Sequence, residues 1–292
     1  MLKENYGEIS RNDGRTYEFE ASAYFLKNQN SDITEEIVNY LNIDNALRFD
    51  LEDSSKLSNI DNEGKKSRSK VDSILNIKTK NKNFLLNCSF KKNFRNGQLH
   101  ITTGQRFIDL VNSFEANFFN NDIELFKISL FKFLGSNGYS PEELNETKKT
   151  KRSDRYGLNE LSEKENESFQ FFFKNKDNIK YIVRAFLLGE ISESTTNYIV
   201  DAIIFNKTNF NKKNNYVVNP DIIFSSELFN YLEKSLEDND INDLIKIKNT
   251  TIHFFDIFSI QRKGSGSKTS KSGLQIKYKN LKKLKEILLQ PK

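Results

Sequence analysis

Tryptophan is absent from the chain, cysteine and methionine occur once each, histidine twice and proline three times in 292 residues. A lone Cys88 excludes an intramolecular disulfide and any cysteine-based zinc site, and His100 and His253 are too few for a histidine-rich metal site. No Ser-His-Asp spacing suggests itself. No apolar run reaches the roughly 20 residues of a membrane span, and Met1-Leu2-Lys3-Glu4-Asn5 lacks the apolar region of a signal peptide. A cytoplasmic protein of bacterial type with no membrane partner is expected. What is abundant, with 25 Phe and 36% apolar residues, suffices for a sizeable core. The wealth of Asn, Lys, Ile and Phe looks like the codon bias of an AT-rich genome rather than a functional signal.

Acidic residues are missing from one region. From Ile257 to Lys285 there are nine Lys or Arg and no Asp or Glu, although the whole chain carries only +5. Such a local field suits a polyanion. Within it, Gln261, Arg262, Lys263, Ser265, Ser267, Lys268 and Lys271 mix two kinds of donor. Gln and Arg make bidentate bonds to purine edges, whereas Lys and Ser suit phosphate oxygens. Gly264, Gly266 and Gly273 permit close backbone approach. Ile260, Leu274 and Ile276 look like strand anchors, so an ordered DNA-contacting hairpin over about 251–279 is expected, the alternative being a solvated basic loop before a surface helix.

Apolar periodicity predicts a helix over Glu18–Leu26 after the Asn12-Asp13-Gly14 turn, and another over Ile33–Leu47. Asp61–Lys70 reads as a loop. Further helices are expected after Gly104, carrying Phe107, Leu110, Val111, Phe114 and Phe118, and over Ile123–Leu134, Glu163–Phe173, Ile179–Leu188 and Ser226–Leu236. Strands are expected at Tyr198–Phe205, with a partner at Tyr216–Val218, and at Thr251–Ile260. The charged segment Glu142–Leu161, with Lys151 and Arg152, is either a second phosphate-contacting loop or plain solvated surface. Without a linker or repeat, one α/β domain over 1–292 is expected, its core about 14–135.

Val71–Ile77 and Phe84–Lys91 read as two strands across a Lys/Asn turn. Alternation puts Phe84, Leu86, Cys88 and Phe90 on one face and Asn87, Ser89 and Lys91 on the other. Asp72 on the first strand is close enough to share a site with Asn87 and Ser89. An acidic residue on one strand, with a polar residue and a lysine on the next, is how metal-dependent nucleases hold a divalent cation beside a water. Ordinary polarity on an exposed hairpin face explains the same residues.

The order of these pieces resembles the small type II restriction endonucleases of the MspI kind and their GCGC-cutting relatives, within the PD-(D/E)xK nuclease superfamily. The likeness runs through Gly14-Arg15-Thr16-Tyr17-Glu18-Phe19-Glu20, Ser69-Lys70-Val71-Asp72, Leu86-Asn87-Cys88-Ser89, the helix after Gly104, Lys148–Arg155, Ile260-Gln261-Arg262-Lys263-Gly264 and Leu274-Gln275-Ile276-Lys277. It implies a central mixed β-sheet flanked by helices, Mg²⁺ as cofactor, and cleavage of short palindromes in double-stranded DNA by a monomer or weak homodimer. A cognate DNA methyltransferase is the implied counterpart. By this resemblance Asp72 binds the metal, Asn87 replaces the usual second acid, the Cys88 carbonyl faces the same ion, and Glu18 lies at the rim. Asn96, Gln98 and Gln105, following the catalytic strand, are expected to join the readout. Ser89 stands where the family carries its catalytic lysine. Lys91, two residues along the same face, is the preferred source of the missing charge, with Lys70 a second. The rival reading is a sequence-specific DNA-binding protein without nuclease activity. An RNA-binding module is a weaker third, since the usual stacking signatures are missing.

Overall fold

A computed structural model describes residues 24, 27–28, 31–44, 46, 48–53, 59–60, 66–67, 71–135, 156–188, 199–207, 219–262 and 273–290. In chain order the strands begin with β1 (Arg48–Asp53), β2 (Asn59–Ile60), β3 (Lys66–Ser67), β4 (Ser73–Lys78), β5 (Asn83–Lys91) and β6 (Gln98–Thr103). They continue with β7 (Ala202–Asn206), β8 (Pro220–Phe224), β9 (Ile245–Lys248), β10 (Thr251–Phe254), β11 (Phe258–Arg262) and β12 (Gly273–Tyr278). The protein is α/β, with one mixed and one antiparallel five-stranded sheet, and helices flanking them. Among the described residues no helix is long and apolar enough to cross a membrane.

The chain divides into two compact units, each assembled from separate segments. One comprises Met1–Gly97, Leu187–Asn230 and Asn280–Lys292, the other Gln98–Phe186 and Tyr231–Lys279. The core expected over 14–135 therefore draws two of its strands from beyond residue 200, while residues 98–135 belong to the other unit.

The first unit holds the sheet β1-β4-β5-β7-β8, antiparallel except where β5 and β7 run parallel. Leu75, Ile77, Leu86, Cys88, Phe90, Ala202, Ile204, Ile222 and Phe224 form one buried face. The helix Asp32–Tyr40 covers it with Ile33 and Ile37. That helix is shorter than the expected Ile33–Leu47. Its chain leaves the helical region at Asn42, which takes the left-handed conformation (φ 49°) that asparagine tolerates after a helix end. The partner strand expected at Tyr216–Val218 lies outside the described residues; β7 pairs with β8, which starts at Pro220, a residue that needs no ladder donor as the first of an edge strand. Part of the expected 61–70 loop pairs as β3 with β2. The Glu18–Leu26 helix falls mostly outside the described residues. Lys285, on the helix Leu281–Leu288, is nearly buried and bonds Glu36 at 2.8 Å as well as Asp221.

The second unit stacks helices on the sheet β6-β12-β11-β10-β9. Ile252, Phe254, Phe258, Ile260, Leu274, Ile276 and Tyr278 make its buried face. Phe254 meets Phe173 edge-on, ring centroids 6.5 Å apart. Phe173 belongs to a cluster of Phe107, Phe126, Phe133, Phe169 and Phe172 from the helices Gly104–Ser113, Ile123–Leu134 and Glu163–Lys174. Gly104 allows the close approach of two of these helices, since a Cβ there would lie 2.8 Å from Leu134 Cδ1 and Phe131 Cε1. The strand expected at Thr251–Ile260 is broken into a hairpin, because Phe255 and Asp256 both take left-handed φ values, 53° and 54°.

Lys132 bonds Glu165 at 2.5 Å in the interior of this unit. Burial pushes the Glu165 carboxyl up, but Lys132 and the Ser162 amide and hydroxyl outweigh it, so the group ionises below the usual carboxylate range. A depressed pKa stabilises above the ordinary value near about 4.3, and that stability is lost as pH falls through the lower folded-state value. Lys132→Met is expected to cost about 2–3 kcal/mol at pH 7 by stranding a buried carboxylate. The deficit should shrink below pH ~4, where protonation relieves Glu165. Urea denaturation of both proteins at pH 7 and near pH 3.5 checks this, and an equal deficit at both would show that the pair is not the cause.

Candidate active site

The polar face of β5 in the first unit gathers the chemistry. Its apolar face is locked by burial of Leu86, Cys88 and Phe90, which forces Asn87, Ser89 and Lys91 to the opposite side. Asp72 lies one residue before β4. Its N–H donates to the Cys88 carbonyl at 2.8 Å, and its carboxylate Oδ2 accepts from Ser89 Oγ at 3.0 Å and the Phe90 N–H at 2.6 Å. These bonds aim the carboxylate and, among the described residues, leave its Oδ1 without a hydrogen-bond donor.

Lys91 folds back along the strand. Its Nζ donates to Ser89 Oγ at 2.9 Å and to the Phe90 carbonyl at 3.1 Å, and lies 3.9 Å from Asp72 Oδ2. Only 14% of the lysine side chain and 27% of the aspartate side chain are exposed, so the pair is partly withdrawn from solvent screening. A chain of donors thus runs from Lys91 through Ser89 to Asp72.

A second carboxylate, which the sequence reading passed over, joins this face. Asp201 lies one residue before β7, and its Oδ2 accepts the Asn87 N–H at 2.8 Å while its own N–H donates to the Asn87 carbonyl. Burial raises the Asp201 carboxyl above the usual range, with the Asn87 N–H pulling the other way. The Asn87 side chain donates from Nδ2 to the Ile199 carbonyl at 3.0 Å. Burial pushes the Cys88 thiol far up, and the charges of Asp201 and Asp72 add to this, so the two carboxylates bracket β5 at Cys88 and the thiol is inert. A signal for Asp201 was present: Val200-Asp201 before an Ile-rich strand repeats Val71-Asp72 before Ser73-Ile74-Leu75.

The oxygens here are hard donors of the type Mg²⁺ prefers, and one or two carboxylates suffice for that ion when substrate phosphate and water complete its shell. Asp72 and Asp201, with the Asn87 Oδ1 and Cys88 carbonyl oxygens, therefore fit it. Among the described residues no group of three His, Cys, Asp or Glu side chains that could hold a metal assembles, at this face or elsewhere, so the protein ligands here are two carboxylates with amide and carbonyl oxygens. Glu18 and Lys70 lie outside the described residues.

Of the residues expected to contact DNA, Asn96, Gln98, Gln105, Gln261 and Arg262 fall among those described. Arg262 turns inward: its Nη1 donates to the carbonyls of Tyr156 at 3.2 Å and Phe133 at 3.4 Å, and its guanidinium lies 5.5 Å from the Phe133 ring centroid. It caps the end of the helix Ile123–Leu134, a structural use of a cation. Gln105 bonds Asp109 within its own helix at 2.8 Å. Gln261 and Gln98 lie on one face of the antiparallel sheet, Gln98 paired with Gln275 at 2.9 Å. Lys263, Ser265, Ser267, Lys268, Lys271, Lys151 and Arg152 lie outside the described residues. Neither a scan against protein-family models nor a search of curated proteins returns a match to this chain.

Proposed function

We propose that the protein is a Mg²⁺-dependent, site-specific DNA endonuclease of the restriction type, hydrolysing phosphodiester bonds to 5′-phosphate and 3′-hydroxyl ends. The observation that carries this reading is the Lys91–Ser89–Asp72 chain: an ammonium rooted two residues from the family's lysine position reaches the same carboxylate. The restriction-endonuclease-like fold belongs to the same proposal, supported by a mixed sheet whose central hairpin bears these residues. A bound Mg²⁺ would lower the pKa of a coordinated water and offset charge on phosphorus. Asp72, fixed by the Phe90 N–H and Ser89, presents its Oδ1 as a ligand. Lys91 supplies positive charge beside the reacting phosphate and a donor that orients the attacking water. Asp201 holds the β5 backbone at Asn87 and adds a second carboxylate to the face. A methyltransferase protecting the same DNA site is the counterpart such an enzyme requires.

Incubation with phage DNA with and without Mg²⁺, alongside Asp72→Asn, tests the proposal. Discrete Mg²⁺-dependent fragments that disappear in the variant are expected. Intact DNA that is still retarded in a gel shift would overturn the nuclease reading in favour of a DNA-binding protein.

A further inference from the structure

The antiparallel sheet of the second unit has two unlike faces. Its apolar face is buried against helices, whereas the other carries polar side chains across β9 to β12, Ser259 among them buried, with Ile101 of β6 in register beside Gln275. Strand register sets two rows across it. One runs Lys248, Thr251, Gln261, Gln275; the other runs Lys246, His253, Ser259, Lys277, Gln98.

None of these nine positions is acidic, in a chain where Asp and Glu number 40 against 45 Lys and Arg. A merely solvated sheet face interleaves both signs. Asp256, in the β10–β11 turn, is the nearby carboxylate, 3.8 Å from Lys246 and 3.5 Å from Lys279. Among the described residues the side chains of Lys248, Lys277 and Gln261 carry no ion pair or hydrogen bond. Burial holds His253 below its ordinary pKa, and Lys279 and Lys248 add to that effect, Asp256 opposing it. The imidazole is therefore a neutral group in a positive field, and its Nδ1 is buried without a partner.

We infer that this sheet face, through Lys246, Lys248 and Lys277 with the side chains of His253, Gln261 and Gln275 between them, is the surface that binds duplex DNA. The spacing suits that partner. Lys246 on β9 and Lys277 on β12 are three strand steps apart, about 14 Å at ~4.8 Å per step. The major groove is about 12 Å wide. Lysines at the flanks then meet phosphates, while amides and an imidazole in the middle meet base edges. The assignment moves readout from the Arg262 end of the hairpin, where the guanidinium is committed to main-chain carbonyls, to a rigid sheet. It rests on the reading that the chain acts on DNA, but not on catalysis.

The test is fluorescence anisotropy of the full chain with a labelled duplex in EDTA, titrated over salt. The triple variant Lys246→Ala/Lys248→Ala/Lys277→Ala is compared with a control triple, Lys82→Ala/Lys164→Ala/Lys234→Ala. Losing three phosphate contacts should flatten the log K against log salt slope by about 2.7 and weaken binding roughly a hundredfold near 0.1 M salt. The control should leave both within twofold. Equal losses in the two triples, or none in the first, would overturn the assignment, as would single-stranded RNA displacing the duplex at lower concentration than unlabelled duplex does. If the first triple alone loses binding while no DNA is ever cut with Mg²⁺, the surface stands and the nuclease reading falls. If it binds like the parent while Asp72-dependent cutting persists, the surface alone falls.

Discussion

Lys91→Met cuts DNA about a thousandfold more slowly than the parent under single-turnover conditions, while binding the same duplex within threefold: that is the expected result. Removing one preorganised charge aimed at developing negative charge typically costs 10²–10³ in rate. Met keeps the length of the stem and removes only the ammonium. Because the lysine is rooted at the end of β5 and touches Ser89 Oγ and the Phe90 carbonyl, its loss leaves the strand pairing intact. Ser89→Ala removes the middle link of the chain but not the charge, and a loss of about tenfold is expected. A Lys91→Met protein cutting within threefold of the parent rate would mean that the positive charge at phosphorus in the proposed reaction comes from elsewhere.

The second large effect is on stability. Phe172 is fully buried, stacked on Phe126 with centroids 4.0 Å apart and meeting Phe173 edge-on at 5.0 Å. Phe107 and Phe118 close the ring around it at 6.0 and 5.7 Å. Phe172→Ala removes a large side chain from a site whose neighbours are themselves rigid rings on three different elements, so little collapse can follow. A loss of about 4 kcal/mol is expected, read as a lowered midpoint in urea by far-UV circular dichroism. Its chain neighbour Phe171, which remains 39% exposed, is the internal comparison. Phe171→Ala should cost under about 1 kcal/mol. Similar midpoints for the two variants would mean that the aromatic cluster does not hold this unit together.

Local signals carried much of this architecture. The β4–β5 hairpin was legible because the alternation of apolar and polar residues from Leu86 to Lys91 leaves one register that buries Leu86, Cys88 and Phe90 together. The helix Ile123–Leu134 was legible to the residue, ended by Gly135 in the left-handed conformation. The break in Thr251–Ile260 was hidden because Phe255 and Asp256 form a turn without glycine, inside a run of alternating apolar residues. Strand β1 was hidden by its charges: Arg48 and Asp50 suit a sheet edge, yet Phe49 is buried. Of the site, Asp72, Asn87, Ser89 and Lys91 came from one hairpin and could be placed by periodicity. Asp201 could not, because the parallel pairing of β7 with β5 joins residues more than a hundred positions apart, and no local pattern encodes such a contact. The polar face of the second sheet likewise exists only once β6 and β9 to β12 lie side by side.

The chain passes between its two compact units at Gly97/Gln98, Phe186/Leu187, Asn230/Tyr231 and Lys279/Asn280. Each unit is thus incomplete in any single stretch of sequence: the first sheet needs strands from both sides of residue 187, and the second needs β6 as well as β9 to β12. A single genetic crossover cannot exchange one unit for a relative's, because at any point in the chain it divides the segments of at least one unit between two parents. Grafting either unit onto another chain would require all of its segments to be moved together.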